Sequence, residues 1–412
     1  MKTKNLRPLD SIEAAIADLK LGRMIIVVDD EDRENEGDFI MPADMITPEA
    51  INFMITHGRG LVCAPLSQEI AKRLDLPLQV QTNTDTMGTA FTVTIDAKEK
   101  VHTGISASDR SYTLKFMADA QSKASDFTRP GHIFPLIAKD GGVLERQGHT
   151  EAAVDFSKLA GMSSVGVICE IMNEDGSMAR LQELLTLAEK HNLKVVSIDA
   201  LVTYRKQHEN LISTVESIPL PTKYGDFQMY MFKSAILKQE HVAIIKGDPS
   251  LLQNPETLVR VHSECFTGDI LGSLRCDCGE QLAACMKTIE EKGSGAVIYL
   301  RQEGRGIGLF NKVRAYQLQD QGMDTAEANL HLGFPVDSRD YTMASQILRY
   351  FKIDSMKLMT NNPQKIEGLT KLGHTKIEHS ALEIDANTKN AQYLFTKKTK
   401  LGHLLKQKLF NQ

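Results

Sequence analysis

Two prolines two residues apart, Pro219 and Pro221, stand midway along the chain in residues 207–224, QHENLISTVESIPLPTKY. Proline has no backbone N–H and a fixed φ, so neither a helix nor a central strand runs through this stretch unbroken. The break divides 412 residues, and a single core stops growing at about 250–300 residues. Domains are therefore expected over 1–206 and 225–412, with 207–224 as the linker. The parts differ in charge, −7 over 1–206 and +2 over 207–412, and show no internal repeat. The net charge of −5 argues against a nucleic-acid binder working through bulk electrostatics. No run of about 18 apolar residues exists to span a membrane. The opening MKTKNLRPLDS lacks an apolar signal core, which implies the cytoplasm.

Both parts alternate helix and strand signals. Ser11 caps a helix that runs to Gly22, and the apolar run 24–28 reads as a buried strand. Thr47-Pro48-Glu49 opens a helix that Gly58 ends. Further strands are expected at 89–95, 165–171 and 194–198, and helices at 108–119, 150–160 and 178–191. The second part gives strands at 227–237, 242–246, 257–261 and 296–300, and helices at 280–291, 312–321 and 341–351.

Residues 29–38, DDEDRENEGD, hold seven carboxylates in ten positions. In isolation such a run is a solvated loop. Here it leaves the C-terminal end of a buried strand, where α/β sites gather. Hard carboxylate oxygens there suit Mg²⁺, and Arg33 either serves a phosphate or neutralises the acids. Arg146-Gln147-Gly148-His149-Thr150 offers phosphate donors and an imidazole. His132 lies in the tight loop Arg129-Pro130-Gly131-His132. Glu170 interrupts an apolar strand, so it is either on a solvent face or a tuned acid/base.

In order, DDEDRENEGD, THGRGLVC, GTAFTVTID, RPGHIFPL, GGVLERQGHTEAAVD and GVICEIMNEDG resemble the 3,4-dihydroxy-2-butanone-4-phosphate synthases over about residues 5–206. The resemblance implies an α+β domain converting ribulose 5-phosphate to L-3,4-dihydroxy-2-butanone 4-phosphate and formate with Mg²⁺ or Mn²⁺. It implies Glu34 and His149 as metal ligands. Arg33, Asp38, Arg146, Gln147, Gly148 and Thr150 become substrate contacts beside them, and Asp38, His132 and Glu170 are needed for turnover. Enolising a ketose requires a base near a carbon acid and a Lewis acid on its oxygens, and Asp38 and Glu170 are the acid/base pair. Cys63 reads as a small buried hydrophobe.

Cys265, Cys276 and Cys278 are spaced x10 and x1, unlike a zinc ribbon. Three thiolates leave a tetrahedral Zn²⁺ one open position, as in catalytic sites. The alternative is a closed structural site completed by Cys285 or His262. Two turns follow predicted strands. Arg301 to Gly308, RQEGRGIG, frees backbone N–H groups for phosphate. TNNPQK, residues 360–365, is an Asn-Pro turn or a phosphate contact through Thr360 and Lys365.

RVHSECFTGDILGSLRCDCGEQL, YLRQEGRGIGL, DTAEANLHLGF, DSRDY and TNNPQKIEGL resemble GTP cyclohydrolase II over about residues 208–405. This implies a layered α/β domain with Zn²⁺ on the three cysteines and, with GTP, room for Mg²⁺. Arg260, Val261, His262, Ser263, Glu264, Gln281, Glu303, Gly304, Arg305, Thr325, Thr360 and Lys365 would line the GTP site. Asp337 would accept a proton, Tyr316 would orient water or pass a proton, and Arg339 would be either a nucleophile or a charge-stabilising group. Thr342 to Gln346, TMASQ, departs from the GIGAQ common in that family. The two resemblances imply a homodimeric enzyme with two activities in riboflavin biosynthesis. Against this stand a chain with one active half and a zinc-stabilised nucleotide-binding module.

Overall fold

Every residue of β1 (Ile25–Val28) is buried, which requires cover on both faces of its sheet. Side chains alternate across a strand, so β1 feeds two cores. Ile25 and Val27 pack with Ile12, Ala15 and Leu19 of α1 (Ile12–Lys20). Ile26 and Val28 join a second cluster on the opposite face. As the sequence implies, the Ser11 hydroxyl caps α1 by accepting from the Ala14 N–H at 3.2 Å, and Gly22 follows at φ +72°.

The computed structural model describes residues 7–234, 236–400 and 402–405, and the chain divides into two units between Arg205 and Lys206. In the first unit β2 (Gly37–Pro42) returns antiparallel beside β1. α2 (Pro48–Phe53), capped by Thr47, runs into a π turn, Met54–Gly58, closed by Arg59 at φ 67°. Then come β3 (Cys63–Leu66), α3 (Gln68–Arg73), β4 (Ile95–Ala97), α4 (Ala107–Ala118), β5 (Phe127–Ile137) and α5 (His149–Leu159). β6 (Gly166–Glu170), α6 (Leu181–His191), β7 (Lys194–Ser197) and α7 (Ile198–His208) complete the run. The sheet order is β4-β5-β3-β6-β2-β1-β7. α1, α5 and α7 contribute to one core, and α2, α4 and α6 to the other.

The expected strand at 89–95 is mostly absent. Thr92 N–H bonds to Pro135 O and Val93 N–H to Pro77 O, so successive residues pair with two different segments and no continuous ladder forms. Only Ile95 enters a strand there.

The second unit opens with the segment expected to be a linker, and this is corrected. Thr214–Thr222 is β8, paired antiparallel with β9 (Gly225–Ser234). β8 is the outer strand of its sheet. Pro219 and Pro221 are two positions apart, so both ring nitrogens take the same side of the strand. An edge tolerates two missing donors facing away from the ladder. β10 (Gln239–Lys246), β11 (Leu258–Ser263), α8 (Phe266–Asp269), α9 (Cys278–Lys292), β12 (Gly295–Leu300) and α10 (Gly308–Asp320) follow. Next are α11 (Thr325–His331), α12 (Thr342–Tyr350), β13 (Ser355–Met359), α13 (Pro363–Lys371), β14 (Lys376–Ser380) and α14 (Ala391–Thr399). The order is β14-β13-β11-β12-β10-β9-β8, and its first four strands run parallel. Their carboxyl ends lead into the cysteine segment, the glycine loop and the Asn-Pro turn, as the rule for open α/β sheets requires. TMASQ does not break α12, where Ser345 Oγ meets His374 Nε2 at 3.0 Å.

The glycine loop is held from β10. His241 Nδ1 accepts the Arg301 N–H at 2.9 Å, so the ring must stay neutral. Burial, then the Arg301 charge, lowers its pKa to about 4. The unfolded chain takes this proton near pH 6.5, and the folded chain refuses it until about pH 4. Stability therefore falls as pH drops through that window, by up to about 3 kcal/mol. Denaturant unfolding of the second unit should show this slope, and His241→Gln should flatten it.

Candidate active sites

Closure of the β1–β2 hairpin shapes the acidic segment. The Asp29 N–H donates to Glu36 O at 3.0 Å, and Asn35 turns the chain at φ 54°. Arg33 Nη1 then reaches Asp29 Oδ2 at 2.5 Å and Glu34 Oε2 at 3.0 Å. His149, at the start of α5, is buried, and its Nε2 lies 3.2 Å from the Val27 carbonyl. That oxygen only accepts, so Nε2 carries the proton and Nδ1 faces Glu34 Oε2 at 3.7 Å. Donor atoms of Asp29, Glu34 and His149 lie within 4.8 Å of one another.

Burial alone would lower the His149 pKa, but the Asp38, Glu34 and Asp29 carboxylates overcome it and raise it to about 9. The imidazolium serves as the counter-ion of an acid cluster, a place a divalent cation fits by donor chemistry and charge. Asp38 and Glu170 are direct partners across β2 and β6. Burial raises Asp38 to about 7, with Glu170 and Glu34 adding to the rise against His149. Glu170 Oε2 accepts the Leu61 N–H at 2.8 Å.

Arg33, Glu34, Asp38, His149 and Glu170 thus belong to one neighbourhood, with Thr150 buried next to His149. Arg146 is held by Glu151 at 2.6 Å and by the Met87 carbonyl at 3.0 Å. Gln147 is exposed and Gly148 is the cap residue of α5. His132 pairs instead with Asp96, Nδ1 to Oδ2 at 2.7 Å. Sequence reasoning did not single out Asp29, and its only signal was membership of the acidic run.

In the second unit Cys265, Cys276 and Cys278 converge within 4.8 Å. Neither proposed fourth ligand joins them among the described residues. Cys285 is fully buried in a separate apolar cluster with Phe227 and Ile289. His262 Nε2 is turned to Asp269 at 3.1 Å. Asp269 also accepts from the Tyr299 hydroxyl at 2.8 Å and from the Cys265 N–H at 3.0 Å. Lys312 Nζ reaches Cys265 Sγ at 3.1 Å and Glu303 Oε1 at 2.8 Å. Hydrogen bonds from Cys276 and Cys278, then the Lys312 charge, hold the Cys265 thiol low against burial. A thiolate among thiols beside a cation fits a zinc donor set. Gly268 keeps the space open, since a Cβ there would stand 2.9 Å from Cys276 Sγ.

The cysteines border a cavity of about 1030 Å³, including its mouth. Every residue expected in the nucleotide site lines it except Val261, whose side chain lies in the core. The Val261 carbonyl accepts from Lys365 Nζ at 2.6 Å. Burial, then Arg260 and Arg339, pushes the Lys365 pKa well below its usual value. Arg260 Nε, His262 Nδ1 and Asn362 Nδ2 are buried without a hydrogen-bond partner among the described residues. Buried cations and orphaned polar atoms in one wall call for a polar, anionic ligand. Tyr316 and Arg339 line the cavity too. Arg339 Nε donates to Asp337 Oδ1 at 2.8 Å, and its Nη2 to Oδ2. Burial pushes the Tyr316 hydroxyl up to about 12. Lys312, Tyr393, Lys397 and His403 line the cavity without having been read from sequence. No spacing pattern marks them.

Family comparison agrees with this division. A model described as 3,4-dihydroxy-2-butanone 4-phosphate synthase matches residues 13–204, and one described as GTP cyclohydrolase II matches 213–379. Riboflavin biosynthesis protein RibBA of Bacillus subtilis is 56% identical over 394 residues, covering 96% of this chain and 98% of that protein. The Bacillus mycoides protein of the same name is 54% identical over the same shares. Among solved structures, RibBX of A. baumannii, a two-domain 3,4-dihydroxy-2-butanone 4-phosphate synthase, is 35% identical. It covers 91% of this chain and 100% of its own, at a TM-score of 0.67.

Gly60 leaves room for the Glu170 carboxylate, since a Cβ there would stand 2.6 Å from Oε2 and 2.5 Å from the backbone oxygen. Gly60→Ala should therefore destabilise the first unit by about 1–3 kcal/mol. Urea unfolding measures it, and an unchanged midpoint would show that the backbone at residue 60 can draw back from β6 without cost.

Proposed function

Because the chain belongs to the family of bifunctional riboflavin biosynthesis enzymes, with a 3,4-dihydroxy-2-butanone-4-phosphate synthase half and a GTP cyclohydrolase II half, we propose that the two clusters are its two active sites. The first half forms L-3,4-dihydroxy-2-butanone 4-phosphate and formate from D-ribulose 5-phosphate. The second hydrolyses GTP to 2,5-diamino-6-ribosylamino-4(3H)-pyrimidinone 5′-phosphate, formate and diphosphate.

In the first half Glu34 and His149 Nδ1 hold Mg²⁺ or Mn²⁺, with Asp29 beside them. When bound, the cation acts as a Lewis acid toward the ketose oxygens. Asp38 moves the proton from carbon, because a carboxyl with a pKa near 7 exchanges protons readily at neutral pH. Glu170, kept in place by the Leu61 N–H, is the second acid/base group. Arg33, Arg146, Gln147, Gly148 and Thr150 receive the phosphate and hydroxyls, assisted by the N-terminus of α5. His132 serves turnover from its place against Asp96.

In the second half the three cysteines hold Zn²⁺, which when bound activates water for hydrolytic opening of the guanine ring. Lys312 offsets thiolate charge, and Tyr316 orients water. Arg260, Arg305 and Lys365 bind the polyanion, with Thr360 and the glycine-loop amides. Mg²⁺ accompanying GTP would share that load. Arg339 is charge-stabilising in this reading, because the Asp337 carboxylate against it holds its guanidinium protonated. The exposed Ile270, Leu271 and Leu274 supply an apolar face for a homodimer.

One observation carries the reading: three thiols in the wall of a cavity whose buried Lys365 has no ion-pair partner among the described residues. Asp38→Asn should lower kcat for butanone phosphate formation about 10²–10⁴-fold and leave GTP hydrolysis intact. Glu34→Ala should abolish the first activity alone. Cys265→Ser should release zinc, by metal analysis, and abolish only GTP hydrolysis. Loss of both activities in any single variant would sink the assignment of separate sites.

A further inference from the structure

The matched GTP cyclohydrolase II segment stops at residue 379, yet the chain beyond it returns to the cavity through Tyr393, Lys397 and His403. Lys397, on α14, is 8% exposed. Its Nζ donates to Asp277 Oδ1 at 2.7 Å, and Asp277 stands between Cys276 and Cys278. Asp277 Oδ2 accepts from Gln281 Nε2 at 2.5 Å, and Gln281 Oε1 accepts from Arg260 Nη2 at 2.5 Å. Arg260 Nη1 closes the series on the Met359 carbonyl at 2.8 Å. The segment is also fastened on either side of this relay. Lys400 pairs with Asp324 and Glu327, and the Leu404 N–H donates to Asn361 O at 2.8 Å.

Asp277 is 2% exposed, so the Lys397 ammonium is what makes its carboxylate tolerable there. With one oxygen taken by Lys397, the other is left for a single partner, and Gln281 adopts the amide orientation that presents its oxygen to Arg260. Remove the ammonium and the carboxylate is left buried and unpaired at one end of a series that has the Arg260 cation at the other, which disturbs the order of the amide between them. We propose that Lys397 is a positioning residue of the GTP site, acting through Asp277 on Gln281 and Arg260, so that the C-terminal segment is a working part of that site. This rests on the GTP reading of the cavity.

The test compares full-length wild type with Lys397→Gln, Lys397→Arg, Asp277→Asn and the Lys397→Gln/Asp277→Asn pair. Lys397→Gln should raise KM for GTP about tenfold or more, the worth of a charge-assisted hydrogen bond. kcat should change far less, bound zinc should stay the same, and butanone phosphate formation should be untouched. Lys397→Arg should recover most of the loss. The pair should be no worse than the more impaired single variant, because both act through one relay. An unchanged KM in Lys397→Gln, loss of its zinc, additive effects in the pair, or no recovery by arginine would each overturn the inference. A wild-type chain that hydrolyses no GTP would instead overturn the cavity reading, and this inference with it.

Discussion

Crowded like charge at the ends of buried strands is the constraint from which both sites follow. Carboxylates of Asp29, Glu34 and Asp38 gather around one imidazole. Three thiols gather next to one ammonium, Lys312. Neither group is tolerable in a low-dielectric setting without counter-charge. The counter-charges present are Arg33 and a protonated His149 in the first site, and in the second a lysine shared with Glu303. A divalent cation would answer each need more fully, which is the physical ground for reading each cluster as a metal site.

The scaffolds meet this constraint differently. In the first unit a hairpin turn bends the acids back over β1, and the helix carrying His149 packs on the same strand through Val27. In the second unit three parallel strands deliver the cysteine segment, the glycine loop and the Asn-Pro turn to one rim. The left-handed Gly304 and Arg305, at φ 63° and 61°, let that loop curl over the cavity. His241 clamps its first residue.

Much of this was legible in the residues. The acidic run, the cysteine spacing and the two turns after strands named most of the groups that the fold brings together. The illegible part has physical causes. β5 contains Pro130, Gly131 and Pro135 and so reads as a loop, yet strands on both sides supply its cover. Residues 207–224 read as a linker because proline forbids a central strand, and an edge strand escapes that rule. Asp29 was hidden in a run where six of the other nine residues are also acidic. Lys312 and Lys397 carry no motif, since their value comes from partners distant in sequence: Lys312 is 47 residues from Cys265, and Lys397 is 120 from Asp277.

The proline pair of β8 has a consequence for how the molecule behaves in a crowd. A free sheet edge is a template on which another chain can add a strand, the first step toward runaway β-association. With Pro219 and Pro221 on the outer rim, two of the donors such a newcomer would need do not exist. The seven-stranded sheet is thereby blunted at its β8 margin by covalent structure.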